Sequence, residues 1–437
     1  MKHRGRHRRR RRGQAVRAVL AGTALGLTAV ATMISASQAT VAQDPGVLKP
    51  LTSAARTGQL ALQERLVPRR SLDRLASAMG RPVGVDAVLR GADRRLRRAA
   101  DCAAADRASL PVAPAATHAY CWDPADTATP GWRPASVTTS GDADDDGLWG
   151  RNRVILAGWT HSARTGPDRG LAQVAFVNAA DPARLTYRWV LLAVPTAGGH
   201  GYRGLVSHLS GMAWHHDKLL VTAAAGDRAA LYAFDLNRIQ RTTADTTTTD
   251  RAHGYRYVMP AVGSYRFTGG RCARHGVPCL GGLSVDRGSA PDSLVLGEWT
   301  RPGGEDRARL WRYAFDRSPE RSGLLATDAA GRVTPAEAYA TRAGGIRGVL
   351  AYRRAGSERS SWYVGRAPGA MDRRGTLWRQ DASGARPARC GGEAGHRCWT
   401  AGTGSLSYWQ ETGEVWSVTD RMLFSVPLAS VDRSMIP

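Results

Sequence analysis

Acids, imidazoles, guanidiniums and indoles recur at comparable places in this chain, at the starts and ends of short apolar runs. His208, Arg347 and Thr403 stand near the beginnings of such runs. Trp159, His161, Asp227, Glu298, Trp299, Arg366, Asp420 and Arg421 stand at or just past the ends of others. Flat rings mixed with hydrogen-bond donors and acceptors suit a sugar or a polar anion, with His208, Arg347, Trp159, Trp299, Arg366 and Arg421 as its contacts. Two carboxyl groups about 5–10 Å apart across a sugar would instead hydrolyse a glycoside. Glu298, Asp227 and Asp420 are the acids for that role. Packing of indoles and ordinary solvation of loop charges account for the same residues with no ligand at all.

A second cluster is Asp142-Ala143-Asp144-Asp145-Asp146-Gly147, the first half of a calcium loop. Alternate carboxylates can converge on a hard cation, and the glycine permits the sharp turn. Asp142, Asp144 and Asp146 are thus the candidate calcium ligands, and calcium is the one cofactor the sequence suggests. The bidentate Glu that would end a twelve-residue loop is replaced by Arg153, so this is not an EF-hand. Otherwise the run is an acidic turn. G-x-S-x-G, H-E-x-x-H, C-x-x-C and a phosphate-binding glycine loop are all absent. His215-His216-Asp217 falls in a turn between two apolar runs.

The elements that must carry these residues repeat. Five copies begin at Ser136, Leu209, Leu280, Gly344 and Gly404, each with small residues leading into a strand. Each continues into a β-rich run such as Val154–Trp159 or Ser293–Trp299. A unit of short strands at this spacing buries little alone and must stack around an axis. The expected fold is all-β, a β-propeller over residues 119–437, five blades at 130–180, 187–240, 255–317, 337–382 and 398–433, six if strands are hidden. Its top face would gather the residues named above. The tract Thr242 to Asp250 reads as a solvent loop.

Residues 43–118 read as a helical N-terminal segment and linker. Ser71 is a plausible N-cap, and Val85, Val88, Leu89, Ala92, Leu96 and Ala99 recur at helical spacing. Ahead of them, residues 1–17 hold nine Lys or Arg and no acid, followed by a short apolar stretch and small residues. That is a secretory signal peptide over 1–42, cleaved after Ala39 or Ala42. Arg11-Arg12 is a poor twin-arginine match, leaving Sec or twin-arginine export open. No later segment is long enough to span a membrane. Losing nine positive charges takes the formal net charge from +24 to +15. A secreted cationic chain is drawn to anionic envelope polymers. No aromatic-basic segment of the nucleic-acid-binding kind is present.

Six cysteines follow the leader, an even number that argues for disulfides in an exported protein. Their neighbours suggest Cys102–Cys121, Cys272–Cys279 and Cys390–Cys398.

The stretches "SVTTSGDADDDGLWGRNRVILAGW", "SHLSGMAWHHDKLLVTAAAGDRAALYAFDLNRI", "YRYVMPAVGSYR", "LSVDRGSAPDSLVLGEW" and "LSYWQETGEVWSVTDR" resemble a group of secreted, uncharacterised actinobacterial β-propeller-like proteins. The resemblance covers about residues 120–435. It implies export and repeat architecture and assigns no catalytic residue. His208 matches the group's pattern, whereas His215-His216 departs from it. The expectation is a monomeric secreted module that binds a carbohydrate or anionic cell-envelope polymer; the alternative is a glycosidase-like hydrolase.

Overall fold

Alternating apolar residues pair into antiparallel strands whose two faces are both covered. The computed structural model describes residues 44–162, 165–166, 168–223, 230–242, 253–273, 275–304, 307–354, 356–357, 359–369, 372–391, 395–402 and 404–436. The expected leader at 1–42, Asp227, Thr403 and all but Thr242 of the threonine tract lie outside the described residues. From Gly46 onward the chain is one unit.

Five four-stranded antiparallel sheets make up most of it. Sheet 1 comprises Trp132–Thr139, Val154–His161, Ala172–Asn178 and Thr186–Pro195. Sheet 2 comprises Met212–His215, Lys218–Thr222, Leu231–Asp235 and Tyr257–Phe267. Sheet 3 comprises Leu280–Asp286, Ser293–Glu298, Ala308–Ala314 and Glu337–Thr341. Sheet 4 comprises Ile346–Tyr352, Ser361–Arg366, Thr376–Gln380 and Ala385–Pro387. Sheet 5 comprises Ser407–Trp409, Glu414–Val418, Met422–Pro427 and, from the other end of the chain, His118–Cys121.

The first strands of these sheets meet in ring order. Trp214 N donates to Thr138 Oγ1 at 3.0 Å between sheets 2 and 1, and Ser210 Oγ to Leu280 O at 3.0 Å between sheets 2 and 3. A Cβ on Gly282 of sheet 3 would lie 2.9 Å from Arg347 O of sheet 4, and one on Gly348 would lie 2.9 Å from Gly404 O at the start of sheet 5. Ser405 Oγ, beside sheet 5, accepts from Val137 N at 2.6 Å in sheet 1. The architecture is therefore all-β and propeller-like. The small residues that mark each repeat are explained by this approach: a side chain there would collide with the neighbouring sheet's backbone.

Apolar side chains fill every gap between sheets. Leu156, Val174, Met212 and Leu219 pack between sheets 1 and 2. Leu220, Leu231, Leu283 and Leu294 pack between sheets 2 and 3. Val295, Leu310, Ile346 and Val364 pack between sheets 3 and 4. Leu350, Tyr363, Leu406 and Val415 pack between sheets 4 and 5, and Val137, Ile155, Trp416 and Leu423 between sheets 5 and 1. Consecutive residues such as Leu219 and Leu220 serve opposite gaps, as strand alternation demands. Each such side chain contributes roughly 1.5–3 kcal/mol by leaving water.

Two expectations are corrected. The anticipated ranges put Thr186–Pro195, Tyr257–Phe267 and Glu337–Thr341 in the following repeat, yet each is the fourth strand of the preceding sheet. Periodicity reveals a strand but not which neighbour it pairs with. Residues 46–118 are also not a separate helical segment. Helices run over Arg69–Met79, with Pro68 rather than Ser71 at the N-cap, and over Gly84–Arg90. The second ends nine residues short of Ala99, because Arg94–Arg95 and Arg97–Arg98 add to the free edges of sheets 1 and 5. Lys49–Pro50 and Leu62–Leu66 likewise cover edges of sheets 3 and 2, which would otherwise present unpaired backbone groups. Among the described residues no helix is long and apolar enough to cross a membrane.

The three expected disulfides are formed, Cys102–Cys121, Cys272–Cys279 and Cys390–Cys398. The first ties the closing strand of sheet 5 to the segment before it. Replacing both Cys102 and Cys121 by Ser should lower stability by about 3 kcal/mol, the loop-closure entropy of a ring of this length, measured by urea unfolding. Gly282→Ala should cost roughly 1–3 kcal/mol through overpacking; an unchanged midpoint would show that the sheets at that point have room to part.

Candidate functional site

At the end of the ring where first strands begin, a cavity of about 710 Å³ opens on the axis. Its walls come from four of the five sheets or the turns flanking them: Arg133 and His161 from sheet 1, His208 from the turn before sheet 2, Arg347 from sheet 4, Asp420 from the turn in sheet 5. Arg169, in the loop after His161, lines it too, so the described residues bring three guanidiniums, two imidazoles and one carboxylate to the cavity.

Arg347 owes its aim to a β-bulge. Ile346 pairs with Arg366 and Gly348 with Gly365, so Arg347 is the extra residue between them, and a bulge re-aims the side chain it carries. Its guanidinium Nη1 lies 3.4 Å from His208 Nε2 and its Cζ 5.9 Å from the centre of the Trp299 ring. Arginine can only donate, so Nε2 accepts and the proton of neutral His208 sits on Nδ1. Burial lowers the Arg347 pKa while Asp420 opposes the shift; the group stays charged at neutral pH. His208 shows an open face to the cavity, yet surrounding protein still desolvates it. That desolvation, and then the Arg347 charge, lowers its pKa below the usual 6.5. It is neutral at pH 7.

The turn bearing His208 is rigid. Ser207 Oγ donates to Thr222 O at 2.9 Å, Gly211 N and Ser210 Oγ donate to Thr222 Oγ1 at 3.1 Å, and Leu209 N donates to Thr160 Oγ1 at 3.0 Å. Thr222 and Thr160 are buried strand residues of sheets 2 and 1, so the imidazole is held by two blocks of sheet at once.

The structure brings together His161, His208, Arg347 and Asp420 of the residues singled out in the sequence, with Trp299 beside Arg347 and 37 % exposed. The others go elsewhere. Trp159 is 1 % exposed, edge-on to Trp122 at 5.1 Å and to Trp189 at 5.2 Å, a core ring and not a rim. Arg366 Nε donates to Gly344 O at 2.9 Å, bracing the turn that leads to the Arg347 bulge. Arg421 reaches Asp106 at 3.2 Å. Glu298 is buried and takes both its oxygens, at 2.7 Å each, to Arg309, so it does not face Asp420 across the cavity. Asp227, its other proposed partner, is outside the described residues. Sequence reasoning passed over Arg133 and Arg169. Arg133 obeys the same first-strand rule that found Arg347; Arg169 carries no signal beyond its loop.

No protein-family model and no curated protein matches this chain. Among solved structures it is similar to a gluconolactonase from Xanthomonas campestris, at 13 % identity and a TM-score of 0.30, covering 80 % of this chain and 98 % of that one. It is also similar to a Trypanosoma rangeli sialidase, at 12 % identity and a TM-score of 0.26, covering 72 % of this chain and 50 % of the sialidase. A chain of the complex of Drosophila Plexin A with Semaphorin 1b matches at 8 % identity and a TM-score of 0.24, over 72 % of this chain and 74 % of that one. At these scores none bears on activity or ligand.

The acidic run does not converge. Asp142 turns into the protein, where its Oδ2 accepts from Thr138 Oγ1 at 2.7 Å and from Ser407 Oγ at 2.6 Å, joining sheets 1 and 5. Asp144 accepts from Asp145 N and Asp146 from Leu148 N, both at 2.8 Å, as turn-forming aspartates do. Among the described residues no three His, Cys, Asp or Glu side chains are placed to hold a metal. Burial raises the Asp142 pKa from 3.8 to about 6, against the hydroxyl hydrogen bonds that lower it. The folded state thus binds this proton more tightly than the unfolded chain. The stabilisation is full below 3.8 and is lost as pH rises through about 6. Urea unfolding at pH 4.5 and 7.5 should show wild type gaining about 2 kcal/mol at the lower pH relative to Asp142→Asn; an equal difference at both pH values would refute the shift.

Proposed function

We propose that this chain is an exported, monomeric five-bladed propeller that binds an acidic saccharide unit of an anionic cell-envelope polymer in its axial cavity. The resemblance to secreted actinobacterial propeller-like proteins supports export, as do the three disulfides, which persist in oxidising compartments. The observation that carries the ligand class is that Arg133, Arg169, Arg347, His161 and His208 line one cavity in which Asp420 is the carboxylate among the described residues. That excess of positive charge in a concave site raises the local concentration of anions. Arg347 offers two N–H groups side by side, the geometry a sugar carboxylate or phosphate matches, and its guanidinium rests over the partly exposed Trp299 ring.

Glycoside hydrolysis needs a second carboxyl group facing the first. Glu298 is committed to Arg309, and Asp420 is the carboxylate lining this cavity among the described residues. Binding without turnover is therefore the reading preferred here.

Titration calorimetry with trigalacturonate and with a short glycerol-phosphate oligomer is the direct test. Saturable binding by at least one is expected, weakened by added salt and reduced about tenfold or more in Arg347→Gln, the worth of one charge-assisted contact. Binding should tighten as pH falls below 6.5 and His208 takes a proton, an effect lost in His208→Asn. Binding that ignores Arg347→Gln would overturn the site; release of shorter products would favour the hydrolase.

A further inference from the structure

A second cavity, of about 370 Å³, opens on the flank of sheet 1, and its lining differs in kind from the axial one. Its aromatic walls are Trp132, Trp159, Trp189 and Tyr255. Trp189 is half-buried and its plane is fixed by Trp159 at 5.2 Å and Tyr187 at 5.4 Å, both edge-on. Tyr255 is held by a hydrogen bond from its hydroxyl to Gln173. Trp132 and Trp159 are buried, whereas Trp189 and Tyr255 are partly exposed and cannot collapse into the cavity, so these two rings are available at little ordering cost.

The charges between the rings balance in number, with Arg94, Arg188 and the exposed Arg256 against Asp93, Asp126 and Asp168, and His253 beside them. Arg188 pairs with Asp93, Arg94 lies 3.9 Å from Asp126, and His253 lies 3.1 Å from Asp168. Asp126 is further held by the Tyr187 hydroxyl, and burial raises its pKa. An anion finds no excess positive field here comparable to that around Arg347. A purely apolar ligand would strand these charges without water. What fits is an uncharged molecule with an apolar face and many hydroxyls: carboxylate oxygens beside guanidinium N–H groups accept from and donate to neighbouring hydroxyls, while the ring faces cover C–H surfaces.

We propose that this cavity is a second saccharide site, selective for a neutral pyranose, built by Trp189, Tyr255 and Asp126. It lies next to the axial cavity: the Trp132 ring on one side meets the His161 ring on the other at 5.1 Å, edge-on, and consecutive residues Asp168 and Arg169 line one each. The pair of sites matches a polymer that alternates or mixes charged and uncharged sugars. The neutral site does not depend on the axial reading and is tested without it.

The purified chain would be titrated calorimetrically with cellotetraose, chitotetraose and mannotetraose. Saturable binding of at least one is expected. Two variants should weaken it by about tenfold or more, roughly 1.4 kcal/mol. Asp126→Asn removes a hydroxyl acceptor. Thr129→Trp, at an exposed residue on the cavity wall, fills the space without touching the core. Arg347→Gln should leave the same affinity within about twofold. Binding by none of the three sugars, binding unchanged in Thr129→Trp, or binding lost in Arg347→Gln would each overturn the proposal. Because Thr129 is exposed, an unaltered melting temperature in that variant separates blocked binding from lost folding.

Discussion

The approach of one first strand to the next is the contact on which the whole molecule depends. Gly282 and Gly348 let backbone carbonyls of the following sheet come within 3 Å of where a side chain would begin. These approaches and the hydrogen bonds between the other first strands bring the ends of a long chain together, and His118–Cys121 completes sheet 5 by pairing with Met422–Pro427. Without that strand the last sheet keeps an open edge and the ring has no seam. The Cys102–Cys121 bond ties that closing strand to the segment before it, and the buried Asp142 network joins the first strands of sheets 1 and 5. Covalent and polar reinforcement are thus placed where the ring is joined by residues some 300 positions apart in the chain, the contact with the largest chain entropy to overcome.

The same packing decides what the axial cavity contains. Arg347 is re-aimed by a bulge whose backbone rests on Gly282 of the neighbouring sheet, and its turn is braced by Arg366. His208 sits on a turn nailed to two sheets. Neither residue depends on its own strand alone, which is how a site can be stiff although its parts come from loops. Charge then separates the two cavities. Among the described residues guanidiniums outnumber carboxylates around the axis, whereas on the flank of sheet 1 each carboxylate has a cation within ion-pair distance.

Much of this was legible beforehand. β-rich runs such as Val154–Trp159 and Ser293–Trp299, and small residues at Leu209–Ala213 and Gly344–Val349, pointed to stacked sheets of short strands. Close cysteine neighbours pointed to the disulfides. His208, Arg347 and Asp420 were found because strand starts and returning loops share one end of such a ring. Trp159 was misread because an indole at a strand end looks the same in sequence whether it packs inward or faces solvent. Glu298 was misread because Arg309, its partner on the adjacent strand, is set by register. Nothing in the sequence foretold the flank cavity, since Asp126, Trp189 and Tyr255 belong to three unconnected segments.

The amino-acid order alone settled the period of the strands, the disulfide neighbours and the basic composition of the first 17 residues, because each is a local property of spacing or composition. Folding decided which sheet each fourth strand joins, which aspartate of the acidic run turns inward, and which charges are paired or left facing a cavity. Those outcomes rest on contacts between residues far apart in the chain, and neither periodicity nor charge pattern records who meets whom.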